Sequence, residues 1–323
     1  MANALPRVYR AAVRLSTKRP LPSRAQHVPI PSFSTLQDTR TRHDAQLAPP
    51  FPVADAASAT EPSFVAGVHD ALSRRGMARL TLGFPDPGSD FLSALVCSFH
   101  ARHGHALPIT HSASQGWFWD VRPSDGRVIP LQTADHQARS ETMADFPWHT
   151  DCSYEGAPPR FFGLHVLQHD RAGGGTLSAM NIETLGAALS PAARAALRRD
   201  EFRIAIPPEF IKDPARTSIV GSVMAVREAE GGQKTCVMRY RRDLLQPLTA
   251  EAEAALAELD GLLEGSAGGE DWAARSTVHL KATDCPAGTI ILMDNRRWLH
   301  ARNHIKDPER HLRRIRWDAI PFP

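Results

Sequence analysis

Short apolar segments bounded by turn residues recur through most of this chain, and they set the strongest limit on its fold. Residues 78–84, 161–168, 202–206, 219–226, 235–240, 277–280 and 289–293 are rich in β-branched, aromatic and aliphatic side chains and have the length of strands. Helical spacing is confined to a few places. Phe64, Val65, Val68 and Leu72 share one face, with Thr60 or Ser63 available as a cap. Residues 90–101 carry Phe91, Leu92, Leu95, Val96 and Phe99 at similar spacing. A third helix is predicted to start at Ser190-Pro191, with serine as N-cap and proline at the first helical position. A fourth runs from Thr249 to about Leu263, with Glu251 and Glu253 in the first turn, where the helix dipole favours negative charge. Residues 265–269 then form a glycine-rich loop. Many short strands with a few helices predict a mainly β barrel or sandwich with flanking helices.

Two stretches divide the 323 residues. Up to Thr60 the composition is dominated by Pro, Ser, Thr and Ala, which predicts a loosely packed N-terminal extension over residues 1–60 and a single folded domain over 61–323. Arg7, Arg10, Arg14, Lys18, Arg19 and Arg24 precede the first acidic residue, Asp38. That pattern is open to two readings: a mitochondrial targeting segment, or a disordered basic extension of a cytoplasmic protein. The net charge of +3 gives no reason to expect nucleic acid as a partner. Cys97, Cys152, Cys236 and Cys285 are scattered without a CxxC pair, which argues against a zinc ribbon and a disulfide framework. No apolar run approaches the roughly 20 residues that span a bilayer, so no membrane partner is expected. A small-molecule substrate is, and the oligomeric state is left open.

The chemistry starts at Phe146-Pro-Trp-His149-Thr-Asp151. Residues two apart on extended chain point to the same side, so an imidazole and a carboxylate can reach one ion. A second histidine, His300, follows the apolar strand 289–293 and the turn Asp294-Asn295-Arg-Arg. Two histidines and a carboxylate on one face of a metal leave adjacent coordination positions open, the arrangement of non-haem Fe(II) oxygenases. Beyond Asp307-Pro308, Arg310, Leu312, Arg314 and Arg316 share one face of a strand. Arginine's planar fork suits carboxylates, so Arg310 and Arg314 are candidates for a co-substrate and a substrate acid; a solvated basic edge strand is the alternative. Gly173-Gly-Gly175-Thr176 is neither a P-loop nor a dinucleotide fingerprint; its glycines suit a turn, and the Thr176 hydroxyl is free to donate to an anion.

Trp-His149-Thr-Asp151, Gly174-Gly175-Thr176, Asp294-Asn295-Arg-Arg-Trp-Leu-His300-Ala-Arg302 and Arg310-His-Leu-Arg-Arg314, in this order, resemble the TauD/TfdA group of oxygenases. The group includes clavaminate synthase-like and gamma-butyrobetaine hydroxylase-like enzymes, and the look of the chain is similar to its fungal biosynthetic members. The resemblance implies a double-stranded β-helix, or jelly roll. It places Fe(II) on His149, Asp151 and His300, and 2-oxoglutarate on Thr176 and Arg310. Arg314 then meets a substrate acid or steadies the co-substrate, and the two arginine roles are interchangeable at this stage. Ala301 stands where the group usually has glycine. The implied reaction consumes O2 and 2-oxoglutarate, releases succinate and CO2, and hydroxylates, desaturates or cyclises a small carboxylate-bearing molecule such as an amino acid or a biosynthetic acid.

Substrate contacts are less sharply marked. Trp117 and Trp119, in Gln115-Gly-Trp-Phe-Trp-Asp120, either wall the site or belong to the core. Arg239 either aims inward from a strand end or lies at the surface. Two other classes compete with the oxygenase reading. One is an inactive jelly roll that binds a ligand. The other is a zinc hydrolase on the same three ligands, against which stand the absent HExxH and GxSxG motifs.

Overall fold

The computed structural model describes residues 49–110, 116–123, 138–228, 234–265 and 270–323. The Arg-rich start of the chain and residues 266–269 of the glycine-rich loop lie outside the described residues. Ten strands build the two sheets that carry the site: β1 (Phe51–Val53), β2 (Met77–Leu82), β3 (Phe118–Val121), β4 (Phe146–His149), β5 (Pro159–Gln168), β6 (Leu177–Asn181), β7 (Thr277–Leu280), β8 (Thr289–Asp294), β9 (Trp298–Arg302) and β10 (His311–Ala319). The larger sheet has the order β1-β2-β8-β5-β10-β3 and the smaller β7-β6-β9-β4. Apart from the parallel β1–β2 pair, the neighbouring strands in both run antiparallel. This is the mainly β jelly roll with flanking helices that the sequence predicts.

Alternation along the strands sorts side chains into three apolar layers. On β8, Ile291 and Met293 meet Phe162 and Leu164 of β5 and Ala179 of β6 between the two sheets. Ile290 and Leu292 point the other way, onto helices α1 (Pro62–Arg75) and α2 (Asp90–His103). Both faces of β8 are therefore buried, which is why its sequence is a continuous apolar run instead of an alternating one. Gly163 of β5 lies under α2, where an added Cβ would stand 3.1–3.3 Å from Leu292, Leu92 and Ile315. A third layer packs helices Pro191–Leu197 and Ala250–Leu263 behind the smaller sheet, around Met180 and Leu299.

Several expected boundaries shift. The cap of α1 is Glu61, whose carboxylate accepts from the amides of Ser63 (3.0 Å) and Phe64 (2.6 Å), in place of Thr60 or Ser63. An ionised carboxylate is a stronger acceptor than a hydroxyl, and Pro62 at the first helical position presets the turn. Thr249 and Ser190 cap their helices as read, accepting from Ala252 and Ala193. The single strand expected over 219–226 is two: Ser218–Gly221 pairs with Phe202–Ala205, and Met224–Glu228 pairs with Lys234–Met238. Residues 51–60 are not loose. β1 pairs with β2, Ala59 is buried, and Ser98 donates to the Ala59 carbonyl at 2.7 Å. Among the described residues no helix is long and apolar enough to cross a membrane.

Where α2 meets β10, a histidine cluster has no part in the metal centre. His105 is buried, its ring stacks on Phe161 at 4.9 Å, and its Nδ1 accepts from Trp317 Nε1 at 3.0 Å. The rings of His69 and His103 stack at 3.7 Å beside it. Burial pushes the His105 imidazole down to about 4, with Asp318 opposing and His69, Arg160 and His103 adding to the shift. The unfolded chain therefore binds this proton more tightly than the folded one. The contribution is intact above the unfolded value of about 6.5 and is lost as pH falls from there towards about 4. Thermal melts should show a loss of about 1–2 kcal/mol between about pH 7.5 and pH 5. His105→Gln, which keeps an acceptor for Trp317, should remove most of that pH dependence; an unchanged slope would show that other groups carry it.

Candidate metal centre

His149 closes β4, and His300 lies directly across from it on β9. Their rings are 4.2 Å apart at 54°. β4 is the edge strand of its sheet, which is what allows Pro147 within it. The Pro147 carbonyl accepts from His149 Nδ1 at 2.8 Å, so Nδ1 carries the proton and Nε2 offers its lone pair. Nε2 lies 3.7 Å from Asp151 Oδ1, and His300 Nε2 lies 3.8 Å from the same oxygen. All three donor atoms fall within 4.8 Å of one another and all three residues are buried.

Asp151 is held from both sides. Its amide donates to Asn295 Oδ1 at 2.7 Å, and Asn295 Nδ2 donates back to the Asp151 carbonyl and to Pro159, each at 2.9 Å. Thr150 is fixed in the same way: its amide donates to the Tyr240 carbonyl and its hydroxyl oxygen accepts from the Tyr240 amide. Arg314 Nη1 donates to Asp151 Oδ1 at 3.3 Å and stands 3.1 Å from Oδ2 without the alignment of a hydrogen bond. Burial alone would raise the Asp151 carboxyl, but Arg314, His300 and Arg316 together outweigh it and hold the group well below the usual carboxylate range. Burial, with His300 adding, drives the His149 imidazole well below its ordinary value. An ionised carboxylate and a neutral imidazole are the protonation states a divalent metal needs. Asp151 Oδ2 and His300 Nδ1 are buried without a hydrogen bond among the described residues. The donor set fits a first-row divalent ion with coordination positions to spare.

Two cavities meet at these residues. The first, of about 770 Å³, lies between the sheets, with apolar walls that include Phe162, Leu164, Leu280, Ile291 and Leu312. Arg302, Arg310 and Arg314 bring cationic groups to its lining. Arg302 is occupied, donating to the carbonyls of Thr142 (2.9 Å) and Ala144 (2.5 Å). Arg310 is not: its Nη1 is buried with no hydrogen-bond partner among the described residues. Burial, then repulsion from Arg302, lowers its guanidinium to about 9 against the pull of Asp170. A buried cation in this position calls for an anion.

The triple glycine makes room for it. Gly175 has φ +65°, and an added Cβ would lie 2.8 Å from Arg310 Nε. At Gly174 a Cβ would lie 2.6 Å from both Asp170 Oδ2 and the His304 carbonyl. Asp170 in turn accepts from the amides of Ala172, Lys306 and Asp307, tying this turn to the loop that delivers Arg310.

The residues expected around the site divide clearly. His149, Asp151, His300, Arg310 and Arg314 line the first cavity. Thr176 is buried beside it, its amide on Asn303 Oδ1 at 2.7 Å; the wall runs through Gly175 and Leu177, not through Thr176. Trp117 packs on the helix side of the larger sheet, and Trp119 in the layer between the sheets, behind the lining. Arg239 is a structural group. It donates to the Ser222 carbonyl at 2.7 Å and lies over the Phe322 ring at 4.7 Å, filling the space left by Gly221 where the two short strands part. Neither tryptophan nor Arg239 is among the residues that line these two cavities. Asn295 and Asp170 have structural roles that the motifs alone do not assign. Asn295 sat in plain view in the Asp294-Asn295 turn, while nothing local to Asp170 announces its role.

Comparison with known proteins places this geometry in context. The sequence profile of the taurine catabolism dioxygenase TauD, TfdA family matches residues 42–316. The search of curated sequences found no match. Among solved structures, an asparagine oxygenase in complex with Fe(II), 2S,3S-3-hydroxyasparagine and succinate is 20% identical, with a TM-score of 0.57 over 81% of this chain and 79% of that one. The non-heme iron oxygenase OrfP, in complex with Fe, succinate and (3S)-hydroxy-L-Arg, is 15% identical with a TM-score of 0.55, over 83% and 93% of the two chains. PvcB from Pseudomonas aeruginosa is 16% identical with a TM-score of 0.52, over 78% and 79%. At these identities the structural likeness concerns the fold.

Two substitutions test the architecture. Asn295→Ala strands the buried amide and carbonyl of Asp151 and should lower stability by about 2–4 kcal/mol in denaturant titrations. Gly175→Ala should cost about 1–2 kcal/mol from its positive φ alone, with an added loss from displacing Arg310. A Gly175→Ala protein as stable as the parent would show that the turn relaxes around the methyl group.

Proposed function

The chain belongs to the TauD/TfdA family of dioxygenases, and on that premise we propose that it is an Fe(II)- and 2-oxoglutarate-dependent oxygenase. In this reading it oxidises a C–H bond of a small carboxylate-bearing molecule, an amino acid or a biosynthetic acid. His149, Asp151 and His300 hold the iron, and Arg310 holds the distal carboxylate of 2-oxoglutarate. The observation that carries the reading is the pairing of a buried two-histidine, one-carboxylate donor set with a buried, unsatisfied guanidinium in the same cavity. A zinc hydrolase would have no use for Arg310 at that position.

The bound iron and its co-substrate supply the oxidising power, with succinate and CO2 as by-products. The protein does the rest. The Asn295 clamp and the Pro147 carbonyl orient two of the ligands before anything binds, which removes a cost of ordering at the moment of binding. Arg310 fixes one end of an elongated diacid, so that its other end points towards the triad. The apolar walls between the sheets exclude water, which strengthens each of these charge contacts. Arg314 keeps the carboxylate of Asp151 ionised and turned to the two histidines.

Anaerobic visible spectroscopy tests the reading without knowledge of the substrate. A weak charge-transfer band should appear only when both Fe(II) and 2-oxoglutarate are present, and His300→Ala should abolish it. Arg310→Ala should keep the band but raise the 2-oxoglutarate needed for half-saturation by roughly thirty- to a hundredfold, the loss of a charge-assisted bidentate contact worth about 2–3 kcal/mol. Folded protein that gives no band would remove the oxygenase assignment.

A further inference from the structure

Five of the described residues line both cavities: Ser140, Phe146, His149, Asp151 and Arg314. The second cavity, of about 410 Å³, is also lined by Thr150, Tyr154 and Phe210. Phe146 is the one apolar side chain of the five, with neither a charge nor a donor atom to offer. We propose that Phe146 is the positioning residue of His149: its ring sets the plane of the imidazole and so aims Nε2 at the shared ion. The proposal rests on the reading above only in taking His149 as a metal ligand.

A regular strand would not bring these two rings together. Phe146 and His149 are three apart on β4, and residues three apart on extended chain face opposite sides of a sheet. The pairing of β4 with β9 changes this. His149 lies across from His300 and Phe146 across from Arg302, so three steps along β4 match two along β9. The extra residue makes a β-bulge, which bends a strand and re-aims a side chain. Pro147 falls inside it, a place where the missing amide proton breaks no ladder hydrogen bond. Phe146 thereby lies flat on His149, with ring centroids 3.6 Å apart and planes 9° from parallel.

This contact supplies what the hydrogen bond of the same imidazole cannot. The Pro147 carbonyl holds Nδ1 at 2.8 Å, which fixes one point of the ring and leaves it free to pivot about the line from Nδ1 to the oxygen. Nε2 lies off that line, so a pivot swings its lone pair away from the common focus with Asp151 and His300. A flat ring in van der Waals contact blocks the pivot. His300 does not, because its ring stands at 54° to that of His149. Phe146 is steadied in turn. The Arg241 guanidinium lies over its ring at 5.9 Å and donates to both oxygens of Asp243, at 3.0 and 3.1 Å. A cation on Nε2 draws electron density from the imidazole, and the negative face of the phenyl ring then attracts it more strongly. The stack therefore favours the metal-loaded state over the free one.

Cobalt(II) binding to the metal-free protein tests this, because the d–d spectrum of the bound ion reports the geometry of its ligands. Phe146→Leu keeps an apolar side chain in the strand and removes the flat face. It should raise the Kd for cobalt about tenfold, as the loss of an outer partner of a metal ligand does, and should alter the d–d spectrum of the fully loaded protein. Phe146→Tyr should keep both at the parent's values. A side chain that only stabilised the fold would lower the melting temperature and leave the loaded spectrum unchanged. The parent gives a second reading that requires no variant. With carbon-13 in the histidine rings, the His149 ring protons should lie upfield, in the ring current of Phe146, and show nuclear Overhauser contacts to it. A Phe146→Leu protein with the parent's Kd and spectrum overturns the proposal, and so does a His149 ring without those contacts. Cobalt binding by the parent with no charge-transfer band from Fe(II) and 2-oxoglutarate sinks the proposed function and leaves this inference standing. A normal band with cobalt binding unchanged in Phe146→Leu sinks this inference alone, and a parent that binds no cobalt overturns both.

Discussion

The carboxylate of Asp151 is the point on which this structure turns. It is buried, yet two arginines from β10 and two imidazoles from the smaller sheet surround it, and Asn295 fixes the backbone that carries it. Burying a charge in a β core is tolerable only where opposite charge and hydrogen bonds replace water. Here that replacement draws on β4, β9, β10 and the turn after β8. The same contacts that make the carboxylate bearable therefore hold the two sheets in register at the mouth of the roll. Structure and site are one arrangement, not a scaffold with a site added.

Arginine carries much of this, in several different ways. Arg302 spends its guanidinium on backbone carbonyls of the segment before β4. Arg296, almost fully buried, does the same for the carbonyls of Pro158, Ile320 and Pro321, binding the C-terminus to the start of β5. Arg239 packs on Phe322 and Ser222. Among the described residues, Arg310, Arg314 and Arg316 bring their charge towards the candidate metal centre from β10 and its approach. The distinction follows from what each meets: backbone carbonyls take up the Nη donors of Arg296 and Arg302, whereas Arg310 turns a guanidinium with no such partner on its Nη1 into a cavity.

The glycine-rich turn shows a second dependence. Gly174 and Gly175 are needed because Asp170, His304 and Arg310 approach the backbone more closely than a side chain would permit. The turn is thus a clamp on the position of Arg310. Its chemical function is to leave space, which explains why it resembles no phosphate-binding loop despite its composition.

The sequence by itself determined the fold class, four of the helices and the candidate donor set of His149, Asp151 and His300. Each is written in local terms: alternation and apolar runs for strands, 3.6-residue spacing and caps for helices, and the His-x-Asp step that puts two donors on one side of an extended chain. His300 was legible because the apolar run of β8 and the turn after it bring the chain back to the open end of the roll. The cap at Glu61, the division of 219–226, the packed state of 51–60 and the structural fate of Arg239 and Trp119 were decided by tertiary structure. Each depends on partners far along the chain, such as β2 for β1, Phe322 for Arg239 and the facing sheet for Trp119. The roles of the β10 arginines belong with these. Alternation puts Arg310, Arg314 and Arg316 on one face, but whether each guanidinium finds Asp151, a thiol or an empty cavity is settled only where the two sheets close around the site.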